Sequence, residues 1–156
     1  MNDYTFKDNS KEVLSALEKA IENGLFGIGM AAEGHAKEIL TDTVYNKNSN
    51  PHLKDENYRL TGRLRNSITF ALSGEEPHIK AYEYTIDDEK YTANYEGTAP
   101  NDSKKSVYIG TNVVYAEGIE LGTHRKAGAV HFLLKSATNY KDEYKTILEN
   151  SMKNEK

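Results

Sequence analysis

The chain has 156 residues, a net charge of −4 and no cysteine, with a pI near 5.8. Disulfides, zinc ribbons and thiol catalysis are thereby excluded, and the mildly acidic balance gives no general pull toward nucleic acid. No apolar run approaches the roughly 20 residues of a membrane helix.

The composition suits one folded domain in a reducing cytoplasm, and the absence of cysteine is also compatible with export. Mixed-sign charge and eleven tyrosines set it apart from disordered sequences, which are poor in aromatic residues. The opening Met1-Asn2-Asp3-Tyr4-Thr5-Phe6 lacks the basic-then-apolar layout of a secretory signal.

In chain order, Asn9 followed by Glu12 reads as a capping box. Val13, Leu17, Ala20, Ile21, Gly24, Ile28, Ala31, Ala32, His35 and Ile39 then recur at steps of three and four. That spacing predicts one long helix ending near Leu40 or Thr43. Gly24, Gly27, Gly29 and Gly34 lie inside it, which implies either close backbone packing or a bend near Asn23-Gly24. Residues 41–59 are polar and irregular, with turn chemistry at Asn48-Ser49-Asn50-Pro51.

Thr61-Gly62-Arg63-Leu64-Arg65-Asn66 reads as a helical turn that feeds a strand over 67–72. Two further strands, over 79–86 and 90–96, flank a polar hairpin connection at Asp87-Asp88-Glu89. The two-residue period puts Tyr82 and Tyr84 on one face of the first, and Tyr91 and Tyr95 on one face of the second. A polar loop over 97–105 precedes a short strand over 106–110. Residues 113–121 read as either helix or strand and end at Gly122. The spacing of Leu133, Ala137, Tyr140, Tyr144, Ile147, Leu148 and Met152 predicts a final helix over 132–152. The fold class is therefore α+β: a long N-terminal helix and a C-terminal helix packed on a curved antiparallel sheet of about four strands, in a single domain spanning 1–156.

No catalytic constellation emerges. Glu120, His124 and His131 are the best candidate metal trio, but Gly122 interrupts the helix that would align the first two, and the spacing matches no known ligand motif. Glu75, Glu76 and His78 cluster in a turn and point different ways, where acid–base catalysis needs carboxylates opposed across a substrate. Asp87-Asp88-Glu89 lacks the alternating ligands and the glycine of a calcium loop. Gly24-Leu25-Phe26-Gly27-Ile28-Gly29 has no preceding strand or following lysine to cradle a phosphate. His35, on the apolar stripe, reads as a satisfied core histidine rather than a base. No cofactor, metal or small-molecule substrate is expected.

Arg63 and Arg65, Lys104-Lys105 and His124-Arg125-Lys126 are short basic clusters, open to a phosphate-contact or a salt-bridge reading. Tyrosine offers rigid contact area with a polar tip, so Tyr82, Tyr84 and Tyr115, with Glu120, Arg125 and Lys126, are candidate interface residues.

Two segments together resemble a known family. Thr61-Gly62-Arg63-Leu64-Arg65-Asn66-Ser67-Ile68 is similar to the Thr-Gly-x-Leu-x-x-Ser-Ile signature of the head–tail joining (neck, or tail-completion) proteins of long-tailed phages and prophages. Val107 to Ala116, with Gly110 and Tyr115-Ala116, followed by Glu120-Leu121-Gly122-Thr123, is similar to that family's second signature. Phe132-Leu133 matches its closing Pro-Phe-Leu, with His131 where proline is usual. The sequence departs from the family in the polar stretch before Thr61 and over residues 75–105.

The resemblance implies a virion structural protein, not an enzyme. It would assemble as a homo-oligomeric ring, often of six copies, at the head–tail junction, after synthesis in the cytoplasm of a bacterial host. Its partners would be a head-side connector or stopper and a tail terminator or tail tube protein, with DNA passing through without specific binding and no membrane involved. It also implies structural roles for Thr61, Gly62, Leu64, Ser67, Ile68, Glu120, Gly122 and Thr123. Other readings are a tail terminator or head-side stopper of the same machine, a nucleic-acid-binding module on Arg63, Arg65 and Lys126, and a metal-dependent hydrolase on Glu120, His124 and His131.

Overall fold

Asn9 stands at the N-cap of the first helix, its carbonyl accepting from the Val13 N–H at 3.1 Å, but the side-chain acceptor there is Asp8. Its Oδ1 accepts from the Ser10 N–H at 2.9 Å and from the Ser10 hydroxyl at 2.6 Å, while the Asn9 side chain makes no capping bond. The Ser10 hydroxyl and then the Ser10 amide hold the Asp8 carboxyl below its usual value. The computed structural model describes residues 8–50, 61–123 and 128–153. Their order is α1 (Ser10–Thr43), α2 (Arg63–Asn66), β1 (Thr69–Leu72), β2 (Ala81–Ile86), β3 (Glu89–Asn94), β4 (Val107–Gly110), α3 (Ala116–Leu121), α4 (Phe132–Thr138) and α5 (Lys141–Lys153). No helix among the described residues is long and apolar enough to cross a membrane.

The α1 stripe starts later than its periodicity implies. Val13, Leu14 and Leu17 are exposed; burial begins at Ala20 and continues through Gly24, Gly29, Ala32, Ala36 and Leu40. All but Leu40 are small, and two elements press on the helix backbone. A Cβ at Gly24 would lie 2.6 Å from Leu148 Cδ1 of α5, and one at Gly29 would run into the ring of Phe70 on β1. The glycines therefore serve close packing, and Gly34, with open space around it, does not share that role.

The four strands form two separate pairs instead of one sheet: β1 with β4, and β2 with β3. Both pairs are antiparallel, with Phe70 opposite Ile109 and Tyr84 opposite Tyr91. In the segment that leads from β1 into β2, the His78 N–H donates to the Phe70 carbonyl at 2.7 Å. The next bond comes from a side chain, Thr69 Oγ1 accepting from the Ile79 N–H at 3.0 Å. Farther along, the α2 segment takes the β2 edge that a ladder would need: Asn66 donates to the Glu83 carbonyl at 2.8 Å, and the Thr85 N–H donates to the Thr61 carbonyl at 3.3 Å. The β2–β3 turn is the residue pair Asp87 and Asp88, with φ of 49° and 65°, the left-handed geometry of a tight two-residue hairpin. Glu89 already belongs to β3.

The expected single C-terminal helix is broken at Asn139-Tyr140 into α4 and α5. The two pieces meet α1 differently. α4 buries Phe132 and Ser136 in the core, whereas α5 buries no residue fully and lays Ile147 and Leu148 against Gly27 and Gly24. The Tyr144 hydroxyl ties them together by donating to the Ser136 carbonyl. Leu40, Leu64, Ile68, Val113, Ala116, Val130 and Phe132 form the centre of the core.

Candidate interaction site

The first motif is a turn built to deliver a strand. Gly62 takes φ 71° at the head of α2, and Thr61 Oγ1 accepts from the Arg63 N–H at 3.2 Å. Leu64 and Ile68 point into the core at 1% and 0% exposure. Ser67, fully buried, donates to the Leu64 carbonyl at 2.7 Å, and its Oγ lies 2.5 Å from Thr111 Oγ1. Thr69 then pairs with Gly110. The two motif segments are therefore one unit, joined by a strand pair and a hydroxyl contact. Thr111 Oγ1 also accepts from the Val113 N–H at 3.1 Å, which turns the chain toward Tyr115 and the buried Ala116 at the start of α3.

Glu120 and Gly122 close the second motif. Glu120 Oε2 and Oε1 accept from the backbone N–H groups of Leu133 and Leu134 at 2.9 and 3.0 Å. These are the unpaired donors of the first turn of α4, so Glu120 of α3 caps a helix that begins at Phe132. Gly122, at φ 75°, ends α3; a Cβ there would collide with the Ala129 backbone. His131 adopts φ 55° and donates its N–H to the Glu120 carbonyl at 3.1 Å. A proline could do neither, so the departure from Pro-Phe-Leu has a structural counterpart. Phe132 is fully buried, Leu133 is half-buried and Thr123 is exposed.

The candidate interface residues are placed unequally. Tyr82 is 5% exposed and belongs to the core, with its hydroxyl donating to Asn112 Oδ1 at 2.8 Å. The expectation that it faces a partner is corrected on that ground. Tyr84 is half-buried, stacked on Tyr91 at 5.6 Å, and Tyr82 and Tyr95 extend the same cluster. Tyr115 is 48% exposed, and burial of the remainder raises its pKa. Arg125 and Lys126 lie outside the described residues, as does His124 of the metal trio. Both Glu120 oxygens are engaged by α4, and among the described residues no three His, Asp or Glu side chains are placed to hold a metal ion.

The arginines of α2 lie against aromatic rings. The Arg63 guanidinium sits 4.9 Å from the centre of Tyr84 and that of Arg65 sits 5.1 Å from Tyr45. The phenol of Tyr82 is the main cause that raises the Arg63 pKa further. Tyr45, from the irregular stretch after α1, carried no signal in the sequence; its hydroxyl also accepts from the Arg65 N–H at 3.4 Å.

Elsewhere, His35 lies between α1 and α5, stacked on Tyr140 at 3.5 Å with Nε2 at 2.9 Å from Glu143. In the turn after β1, Glu76 pairs with Lys80, while His78 stacks on Phe70 and reaches toward Glu33 of α1. A cleft of about 380 Å³ opens between β1–β4 and the 95–100 segment, with Pro77, Tyr95, Pro100, Tyr108 and Gly110 among its walls. Comparisons with family models, with curated proteins and with solved structures gave no match.

Proposed function

We propose that the chain is a phage virion structural protein that joins or completes the head–tail junction, forming a ring with copies of itself and with neighbouring neck and tail proteins. The observation that carries this reading is the convergence of the two motif segments. Residues far apart in sequence, Ser67 and Thr111, meet at 2.5 Å, and β1 and β4 pair around them. The motif residues that resemble the family thus have a common structural task, which argues against a chance likeness of two short strings. The roles of Glu120 and Gly122 are also structural, as that resemblance implies. Tyr84 and Tyr115 and the exposed apolar start of α1 supply contact surface of the kind that interfaces use.

In this role the protein works by contact alone. Its neighbours are a head-side connector or stopper on one side and a tail terminator or tail tube on the other, and the DNA passes through the ring without specific binding. Deletion of the gene, scored by electron microscopy, tests the reading. Separate heads and tails are expected, and a deletion that still yields joined particles overturns it. Native mass spectrometry with negative-stain imaging of the purified protein then reads whether a ring with an open centre forms before assembly.

A further inference from the structure

Neither Arg63 nor Arg65 has an acidic partner among the described residues. The ion pairs there use Lys37, Lys80, Lys105, Lys145, His35 and His78. In a chain with 24 acidic and 20 basic side chains, such acceptors are plentiful. The two guanidinium groups are instead held over Tyr84 and Tyr45. Arg63 Nε is buried with no hydrogen-bond acceptor. Tyr115 feels the charge of both Arg63 and Tyr45, which sets it in one row with Tyr84, Arg63, Tyr45 and Arg65, and at 48% exposure it is the most open member.

We infer that this row is a docking surface for an acidic segment of a partner protein, whose carboxylates pair with Arg63 and Arg65 while its side chains lie on Tyr115 and Tyr84. A planar guanidinium held against a ring is already oriented, so little freedom is lost when a carboxylate engages its fork of donors. Arginine and tyrosine are also the residues most often found to dominate binding at interfaces. Nucleic acid fits less well: two cations give at most two phosphate contacts on a net-acidic chain, where duplex binders use many more. The inference does not depend on the junction reading, since the unpaired cations are there whatever assembly the chain serves.

Fluorescence anisotropy with three labelled probes tests it: a peptide of alternating Glu and Tyr, its Gln–Tyr counterpart, and oligothymidylate. The Glu–Tyr peptide is expected to bind the full chain at least about tenfold more tightly than the Gln–Tyr peptide. The difference should shrink with added salt and be lost in Arg63→Gln and Arg65→Gln, with Arg63→Lys in between because it keeps the charge and loses the fork. Lys141→Gln, away from the row, should bind as the parent does. If Arg63→Gln fails to fold, the two peptides on the unaltered protein still decide. Equal binding of the two peptides, tighter binding of oligothymidylate, or an Arg65→Gln variant that binds normally overturns the inference.

Discussion

Glu120 and Leu133 are joined by a bond from carboxylate to backbone, Oε2 accepting from the Leu133 N–H at 2.9 Å, with Oε1 on Leu134 beside it. A capping residue normally sits immediately before its helix. Here His131 holds that position in a left-handed conformation and its side chain makes no cap, so the acceptor comes from α3. A negative charge at a helix N-terminus is favoured by the helix dipole as well as by the bonds themselves.

Glu120→Ala is therefore expected to destabilise the fold by about 1–2 kcal/mol, the usual worth of a capping side chain, with Glu120→Gln less costly because one acceptor survives. Urea denaturation of the three proteins checks it. A Glu120→Ala variant as stable as the parent would show that α4 does not depend on the cap.

Two glycines on α1 should respond in opposite directions to the same change. Gly29→Ala places a methyl group into the Phe70 ring and should cost about 1–3 kcal/mol through overpacking. Gly34→Ala meets open space and should stabilise the helix by about 0.5–1 kcal/mol. Thermal melts of the pair measure both signs at once.

Ser67→Ala removes the hydroxyl that joins the two motifs. The residue is fully buried, and Thr111 Oγ1 would lose its 2.5 Å neighbour. A loss of about 1–3 kcal/mol is expected. Combined with Thr111→Val, the total should fall well short of the sum of the single losses, since each change removes the same contact. Additive losses in a double-mutant cycle would contradict the link.

Tyr144 supplies a test at alkaline pH. Burial, then the neighbouring Glu143 and Tyr140, raise its pKa to about 12, against about 10 for a tyrosine in the unfolded chain. Below about pH 10 both states hold the proton and the contribution is complete. As pH rises from there toward about 12 the unfolded chain gives up a proton that the folded chain keeps, so stability falls. Tyr144→Phe should flatten that part of the curve. Parallel curves for parent and variant from pH 9 upward, measured in urea, would rule the linkage out.

Local patterns in the sequence were informative where one element decides its own shape. The steps of three and four from Val13 onward place α1 to its last turn, and Asp87-Asp88-Glu89 marks the hairpin to within one residue, while the two-residue period gives the faces of Tyr84 and Tyr91 but not their pairing. What could not be read were choices made between elements. Asp8 and Asn9 are both good caps one position apart, and only the path of the chain selects Asp8. The spacing of Tyr140 and Tyr144 continues the α4 pattern unbroken, so the turn at Asn139 leaves no trace in periodicity. The sheet divides because Asn66 and Thr61 take the edge of β2, a decision made by side chains from a different segment. At the site, Glu120 was legible as a motif residue, but its target on α4 was not; Tyr82 looked like a surface tyrosine because alternation tells which face a residue is on and not what covers that face.

The small-residue stripe of α1 ends at Ala20, whose carbonyl accepts from the Ser151 hydroxyl near the end of α5. The helix itself begins at Ser10, so residues 10–19 add about 15 Å of rod in which Val13 and Leu14 are 63% and 60% exposed. Reach and robustness are thus assigned to different stretches of one helix. Changes at Val13 or Leu14 alter the surface of the rod and leave the clasp with α5 intact, while the glycine-lined half is held fixed by the packing of Leu148 and Phe70.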